Sequence, residues 1–429
     1  MRLVYEYNRL AMLVNFPHQT DVPREYHSNF VHLFLDIAWF GVVSGSAVNF
    51  LNIYAARIGA TGLQIGLIGA MSAVVNLFLA IPAGHWIERR HTGRAVFWAS
   101  VFYRLGYAIW IPLPWLFNAQ VQIWALIIIT FLMAIPLTPL GVGFNALFAE
   151  AVPTEWRAHV AGIRNITLSI TFMLTSLLSG AILDHVTFPT GYQIVFAIGF
   201  LGAAMSSLHL YFVKPLQVGS SAPPPEPEPA DISSAPIPRR RLHTAVRLDI
   251  WQTRFRNVLL VLFAFHLAQY LAIPLFPLYN VRVLNLSDDH IGIGTALFYL
   301  TVLIGSTQLN SFVHRIGHKR VTGWGVAGLA LYPFFLSRSH AVWHFYLVSI
   351  LGGLIWAMVS GAYANYLLEH MPPDDRPPHL AWYNIILNAA VLIGSLSGPA
   401  IAGQIGLASA LMLFALFRLL AGIAILRWG

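Results

Sequence analysis

Stretches of about 20 mostly apolar residues, the length a helix needs to cross a bilayer, recur twelve times along this chain. They run over 29–56, 62–84, 95–117, 121–148, 158–183, 191–213, 255–279, 289–312, 320–337, 341–367, 380–404 and 407–427. A membrane β-barrel would instead show weak alternating segments of about 10 residues. Runs such as Trp124–Ile135 and Val258–Phe265 are almost wholly apolar. Only a helix lets such a segment pair all its own backbone groups in hydrocarbon. The expected fold class is therefore all-α integral membrane, with twelve transmembrane helices. Of the 429 residues, 57% are hydrophobic and 10% charged. A soluble domain averages about 25% charged, so a soluble globular fold is excluded. The chain has no cysteine, which removes disulfides, thiolate metal sites and cysteine nucleophiles.

Basic residues orient the helices. Residues 1–28 carry Arg2, Glu6, Arg9, Asp21, Arg24 and Glu25 with no long apolar core, so they read as a cytoplasmic tail, not a cleaved signal peptide. With both termini inside, 20 of the 25 Lys and Arg fall on the inner side. Only Arg57, Arg282 and Arg338 fall on outer loops, and Arg104 and Arg418 lie within helices. The positive-inside rule then places both termini in the cytoplasm, across the cell (inner) membrane. The net charge of +8 faces anionic lipid heads, and no nucleic-acid role is implied.

The helices divide six and six. Ser221–Arg241 reads SAPPPEPEPADISSAPIPRRR, too proline-rich and polar to bury a core. The expected parts are a tail (1–28), a six-helix bundle (29–213), a basic linker (214–254) and a second bundle (255–429). The halves repeat. At an offset of 219, Glu150, Pro153, Arg157, Asn165, Leu168 and Ser176 fall on Glu369, Pro372, Arg376, Asn384, Leu387 and Ser395. At 226, Ile65-Gly66 falls on Ile291-Gly292 and Arg89 on Arg315. Parallel repeats of this kind point to a transporter with its substrate site near the midplane, between the halves.

Two loops carry a resemblance. Between the second and third helices stands Gly84-His85-Trp86-Ile87-Glu88-Arg89-Arg90-His91-Thr92-Gly93-Arg94. Between the eighth and ninth stands Asn310-Ser311-Phe312-Val313-His314-Arg315-Ile316-Gly317-His318-Lys319-Arg320. Both resemble the major facilitator superfamily loop G-x-x-x-D-R-x-G-R/K-R/K, with Glu88 and His314 at the acidic position and two extra residues before Gly93. The resemblance covers about residue 30 to the C-terminus. It implies two pseudo-symmetric six-helix bundles and a cytoplasmic gate. Gly93 and Gly317 would make the tight turns. Arg89 and Arg315 would pair with Glu150 and Glu369 at the inner ends of the fourth and tenth helices, with Glu88, Arg94, Arg157 and Arg376 completing the gate. His314 supplies no fixed negative charge at neutral pH, which makes the second pair weaker or pH-sensitive. Gly394-Ser395-Leu396-Ser397-Gly398-Pro399 and Gly403 resemble the superfamily's antiporter pattern, but on the eleventh helix instead of the fifth. Close helix packing accounts for these glycines equally well.

Within the membrane, Asp36 is the one carboxylate well inside a helix, with Arg104 and Arg164 at similar depth. An ionisable group there is a functional candidate. Asp36 reads as a proton or substrate-cation site, or as half of a structural ion pair. Asn49 and Asn52 lie on another arc of the first helix, which in the superfamily borders the central cavity. Further candidates for substrate or ion contact are Asn165 on the fifth helix and Asn384 and Asn388 on the eleventh. The seventh offers His266, Gln269 and Tyr270, with Pro274 and Pro277 loosening its outer end. The tenth offers Trp356 and Tyr363. Rings flanked by a few hydrogen-bonding groups suit an amphipathic or ring-shaped ligand.

The expected function is secondary transport by alternating access: efflux of a neutral or amphipathic small molecule, with protons as candidate coupling ion. The alternatives are a nutrient or sugar uptake symporter and a transporter-like assembly scaffold. No cofactor or metal is implied. His340 and His344 lack the third ligand a zinc site wants, and no phosphate-cradling glycine loop appears. An enzyme is not expected. The partners are a small-molecule substrate and membrane lipids, and the chain is taken to act as a monomer.

Overall fold

The computed structural model describes residues 24–216 and 247–429. Residues 1–23 of the expected tail and the proline-rich core of the linker, with Arg239–Arg241, lie outside the described residues. Among those described the protein is all-helical.

Twelve helical segments follow one another. α1 comprises Arg24–Val43, a π turn at Ser44–Val48 and Asn49–Arg57. It therefore begins before residue 29. α2 is Gly62–Glu88, α3 Thr92–Trp110, α4 Ala119–Ala151, α5 Thr154–His185 and α6 Thr190–Phe212. α7 is Phe255–Ala272 continued by Leu275–Arg282, α8 is Asp288–Ile316, and α9 is His318–Gly328 continued by Leu331–Leu336. α10 is Val342–Glu369, α11 Arg376–Ile405 and α12 Leu407–Trp428.

Local chemistry sets the boundaries. Thr61 and Gln64 form a capping box at the start of α2, satisfying two of its free N–H groups. Asn118 and Ser287 accept from Val121 N and His290 N and cap α4 and α8. Gly317 joins α8 to α9 at φ +81° and Gly406 joins α11 to α12 at φ +86°, a backbone only glycine adopts cheaply.

Ten of the described helices are long and apolar enough to span a membrane. The remaining two expected spans, 95–117 and 320–337, fall on α3 and α9. Both are shorter and broken near one end: α3 at Ile111–Pro112, before a single turn Leu113–Leu116, and α9 at Leu329–Ala330. They still pack inside the assembly, α3 against α4 and α6, and α9 against α10 and α12.

α1–α6 pack into one bundle and α7–α12 into another. Three crossings join the bundles: α5 with α8, α2 with α11, and the far end of α1 with that of α7. Small residues permit this closeness. A Cβ on Gly66 would lie 2.0 Å from the Ser395 carbonyl oxygen, and one on Gly292 would lie 2.7 Å from that of Ser176. Within the second bundle, a Cβ on Gly398 would lie 2.0 Å from the Leu271 oxygen. Gly394 and Gly398 of α11 thus serve helix contact, as the packing alternative expected, whereas a Cβ on Gly403 would meet nothing within 4 Å.

Candidate functional site

The surface between the bundles is sealed at one end only. At the end away from Arg89 and Arg315, Arg57 on α1 pairs with Asp288 on α8 at 3.0 Å and donates to the Leu286 carbonyl at 2.6 Å. Tyr192 Oη donates to Asp288 Oδ2 at 2.8 Å, and Arg282 donates to the Ala60 carbonyl at 2.6 Å. One layer deeper, Ser176 donates to the Gly292 carbonyl at 3.3 Å and itself accepts from Asn49 at 3.1 Å. The deepest links are Asn76 on α2 to Asn388 on α11, 3.4 Å, and Phe172 on α5 stacked on Tyr299 of α8, 4.1 Å between centroids.

Beyond these links no hydrogen bond or ion pair crosses between the bundles toward the basic end, among the described residues. The same helix faces change character along their length. On α5, Ser176 is fully buried while Asn165, three turns toward the basic end, is exposed. On α11, Ser395 is buried while Asn384 is exposed. The molecule is thus closed at the Arg57–Asp288 end and open at the basic end. Asn165 and Asn384 flank the opening, and Asn76, Asn388, Phe172 and Tyr299 form its floor.

Asp36 belongs elsewhere. It is buried inside the first bundle, with Arg164 at 3.1 Å and Arg104 at 3.8 Å. Ser206 donates to its Oδ1 at 2.5 Å. Arg164 also donates to the Leu33 carbonyl and lies over the Phe144 ring at 4.8 Å. Arg104 donates to Ser207 at 2.8 Å. The cluster ties α1, α3, α5 and α6 together. Asp36 and Asn49 occupy separate surfaces, as the helical angles implied, although the π turn at Ser44–Val48 breaks the regular 100° spacing behind that estimate. Asn52 Oδ1 is buried without a partner.

The second bundle places no carboxylate at this depth. His266 on α7 and Tyr383 on α11 are bonded at 3.0 Å, and Tyr363 meets His266 edge-on at 5.9 Å. Trp356 and Tyr363 are half-buried and pack on the core beside α7. Tyr270 is half-buried against Gly394 of α11, and Gln269 Oε1 is buried without a partner. α7 breaks at Ile273–Pro274, where the prolines placed it. The buried cation here is Arg418 on α12. It donates to the Ala268, Leu329 and Gln269 carbonyls at 3.4, 3.3 and 3.2 Å. Pro333 cannot supply the N–H that the Leu329 carbonyl would otherwise receive, so Arg418 fills that vacancy at the break in α9.

At the basic end the expected gate pairs are not made. Glu150 accepts from Thr92 at 3.1 Å, and Glu369 pairs with His318 at 2.6 Å. Arg157 donates to the Val152 and Ala149 carbonyls at 3.1 and 2.6 Å, capping α4. Glu88, Arg89, Arg94, Arg315 and Arg376 are exposed and make no ion pair among the described residues. Gly317 makes its turn, but Gly93 does not. The first turn is completed by Arg89–His91, and Gly93 lies within α3 with an added Cβ meeting His91 only at 3.6 Å.

The sequence reading missed Asn76, Arg57, Asp288, Tyr192 and Tyr299. Asn76 carried a signal, as the single amide in the apolar run Ala73–Pro82. Arg57 was counted only as an outer-loop charge, and Asp288 sits where a helix-capping acid is ordinary.

A sequence profile described as Major Facilitator Superfamily matches residues 34–287 and 258–429. The staphyloferrin B transporter of Staphylococcus aureus is 28% identical over 171 residues, 39% of this chain and 41% of that protein. The chain therefore spans about two fifths of that relative's length in the match. The cis,cis-muconate transport protein of Acinetobacter baylyi is 22% identical over 298 residues, 66% of this chain and 68% of that one. Among solved structures, the D-xylose-proton symporter superposes with a TM-score of 0.68 at 15% identity, covering 94% of this chain and 98% of that one. At that identity the likeness speaks for the fold alone.

Proposed function

The chain belongs to the major facilitator superfamily, a family of membrane transporters, and from that premise we propose that it is a secondary transporter working by alternating access. The observation that carries the proposal is the one-ended seal. The bundles are locked from Arg57–Asp288 down to Asn76–Asn388 and open beyond. Rocking about the central links would close the basic end and open the other. By the positive-inside rule the basic end is cytoplasmic, both termini lie in the cytoplasm, and the structure is the inward-open state of an inner-membrane protein.

The cargo we propose is neutral or amphipathic. The surfaces around the floor present amides, hydroxyls and rings: Asn76, Asn165, Asn384, Asn388 and Tyr299. Asp36 does not reach this surface, so no counter-charge waits there for a cation. Protonating Asp36 would strand two buried guanidiniums, which favours the structural ion pair over the proton carrier.

The absence of cysteine makes the test clean. Spin labels on cysteines introduced at Arg89 and Arg315 report the gap between the bundles at the basic end. Two interconverting distances, with the shorter one favoured when the far seal is cut by Arg57→Ala, support alternating access. A single distance unmoved by that change, with no solute released or accumulated by proteoliposomes, would instead favour the assembly scaffold. A thermal-shift screen against sugars, amino acids, organic anions and amphipathic drugs then identifies the cargo. Binding at 100 times the dissociation constant adds about 2.7 kcal/mol to the folded state.

A further inference from the structure

α2 has two working faces. One carries Gly66 and Asn76 against α11. The other, turned away from the second bundle, forms with α3 and α4 an apolar groove of about 500 Å³. Leu79, Pro82, Trp86, Trp98, Phe102 and Pro136 line it. Pro82 and Pro136 stand inside their helices, where proline removes a backbone hydrogen bond and bends the axis. Trp98 and Phe102 are 54% and 60% exposed, so the slot opens on the flank of the bundle, where lipid lies. From Leu79 to Trp86 it runs about 10 Å along α2, within the roughly 15 Å of one leaflet's hydrocarbon.

Charge marks the groove's basic end. The Arg90 guanidinium lies 4.7 Å from the centre of the Trp86 ring, on the wall of the slot. Arg89, Arg90 and Arg94 are exposed and make no ion pair among the described residues. Glu88 is the sole carboxylate between residues 88 and 94, which leaves that turn with a net charge of +2. The gate pairing expected of Arg89 with Glu150 is not made.

We propose that this groove is a binding site for an anionic phospholipid. One acyl chain occupies the slot between Trp86, Trp98 and Phe102, and the phosphate is held by Arg90 with Arg89 and Arg94. Guanidinium suits phosphate because it offers paired donors to the oxygens. A zwitterionic lipid carries its own amine beside the phosphate and gains less from the same arginines. Because the groove shares α2 with the interface to α11, the lipid sits on a helix that the rocking motion moves.

The test uses the full chain in nanodiscs of phosphatidylcholine containing a minor fraction of a chain-brominated lipid, either phosphatidylglycerol or phosphatidylcholine. Bromine quenches tryptophan on contact, and Trp86 and Trp98 report the groove. Brominated phosphatidylglycerol should quench more than brominated phosphatidylcholine at equal fraction. That excess should vanish in Trp86→Phe/Trp98→Phe. In Arg89→Gln/Arg90→Gln/Arg94→Gln the excess at the same fraction should also be lost, since each arginine near an anionic surface is worth about fivefold in affinity. All these side chains are at least partly exposed, and elution as a single folded species confirms that each variant is intact. Equal quenching by the two lipids, or an excess that survives either variant, overturns the proposal.

Discussion

The two bundles share a plan and differ in how each holds its buried charge. In the first, Asp36 is gripped by Arg164, Arg104 and Ser206, so four helices meet on one carboxylate. In the second, Arg418 has no carboxylate partner and is held by three backbone carbonyls around the breaks in α7 and α9. One cation of the first bundle and the one of the second thus meet different demands. Arg164 neutralises a charge, whereas Arg418 fills the carbonyl vacancy at the break in α9 and adds bonds to two carbonyls at the end of α7's first segment. At the break in α9 the cation satisfies the Leu329 carbonyl, which Pro333 leaves without its regular donor. The difference also separates rigidity from gating. The charged cluster binds the first bundle together away from the moving surface, while the break in α7 lies beside the seal.

The sharpest way to break this comparison is to remove one charge from each bundle. Asp36→Asn leaves two buried guanidiniums uncompensated and should cost about 3–5 kcal/mol. Arg418→Met leaves the Leu329 carbonyl unpaired and should cost about 1–3 kcal/mol. Thermal unfolding in one detergent ranks them. If Asp36→Asn melts no earlier than Arg418→Met, the cluster is not the stronger tie. The same variant separates structure from coupling: Asp36→Asn should retain gradient-driven transport per folded molecule. Its loss at unchanged substrate affinity would return Asp36 to the proton-carrier reading.

Next in size is the glycine seam. Gly66→Ala drives a methyl into the Ser395 carbonyl, an overpacking worth about 1–3 kcal/mol. The penalty applies while α2 and α11 are pressed together at this end, so the closed seal is the state it weakens. A cysteine placed at Asn384 reads the outcome through its alkylation rate by an impermeant maleimide. Alkylation should slow in Gly66→Ala as the basic end closes. An unchanged rate would mean that the seam is equally tight in both states.

Arg57→Ala acts on the same seal more gently, because the pair with Asp288 is partly exposed and water screens it. A loss of about 1 kcal/mol would shift the populations about fivefold, in the same direction as Gly66→Ala. Restoring the pair in reverse, Arg57→Asp with Asp288→Arg, should recover part of the original rate. Failure to recover would assign the seal to the Leu286 carbonyl bond instead of the charge.

How much of this the sequence disclosed follows from what each feature depends on. The helices were legible because hydrocarbon demands long apolar segments, and the two halves because offsets of 219 and 226 align like residues. Asp36 stood out because buried charge is costly, and the approximate depths of Arg104 and Arg164 sufficed to pair them with it. The seal was not legible. Arg57, Asp288 and Tyr192 come from three helices and two bundles, and nothing local announces their meeting. The gate pairs of Arg89 and Arg315 are not made: Glu150 accepts from Thr92 and Glu369 pairs with His318, neighbours that the loop pattern does not name. The true turn at Arg89–His91 was misplaced onto Gly93 because the loop is two residues longer than the pattern it resembles.

The smallest effect concerns the strap between the bundles, whose ends are fastened unequally. At its first end Asn29 holds Lys214 through backbone bonds of 2.8 and 3.0 Å. At its last end Arg247 clamps Asp249 and Asp375 at 3.0 and 2.8 Å, and its carbonyl accepts from Trp382 Nε1 at 3.3 Å. The first fastening carries no charge and the second is ionic, so only the second should respond to acid. Hydrogen bonding from Arg247 holds the Asp249 carboxyl below its ordinary range. A carboxylate with a lowered folded-state pKa stabilises above its unfolded pKa, and that contribution fades as pH falls through the folded value. The clamp is therefore fully present at neutral pH. Arg247→Ala should speed amide exchange over Leu248–Gln252 at neutral pH while leaving Lys214 unchanged. After correction for intrinsic rates, the gap between variant and parent should close in strong acid, where Asp249 is protonated in both. A gap that persists there would show that backbone packing, with the Trp382 bond, fastens this end, and that the two ends of the strap are alike after all.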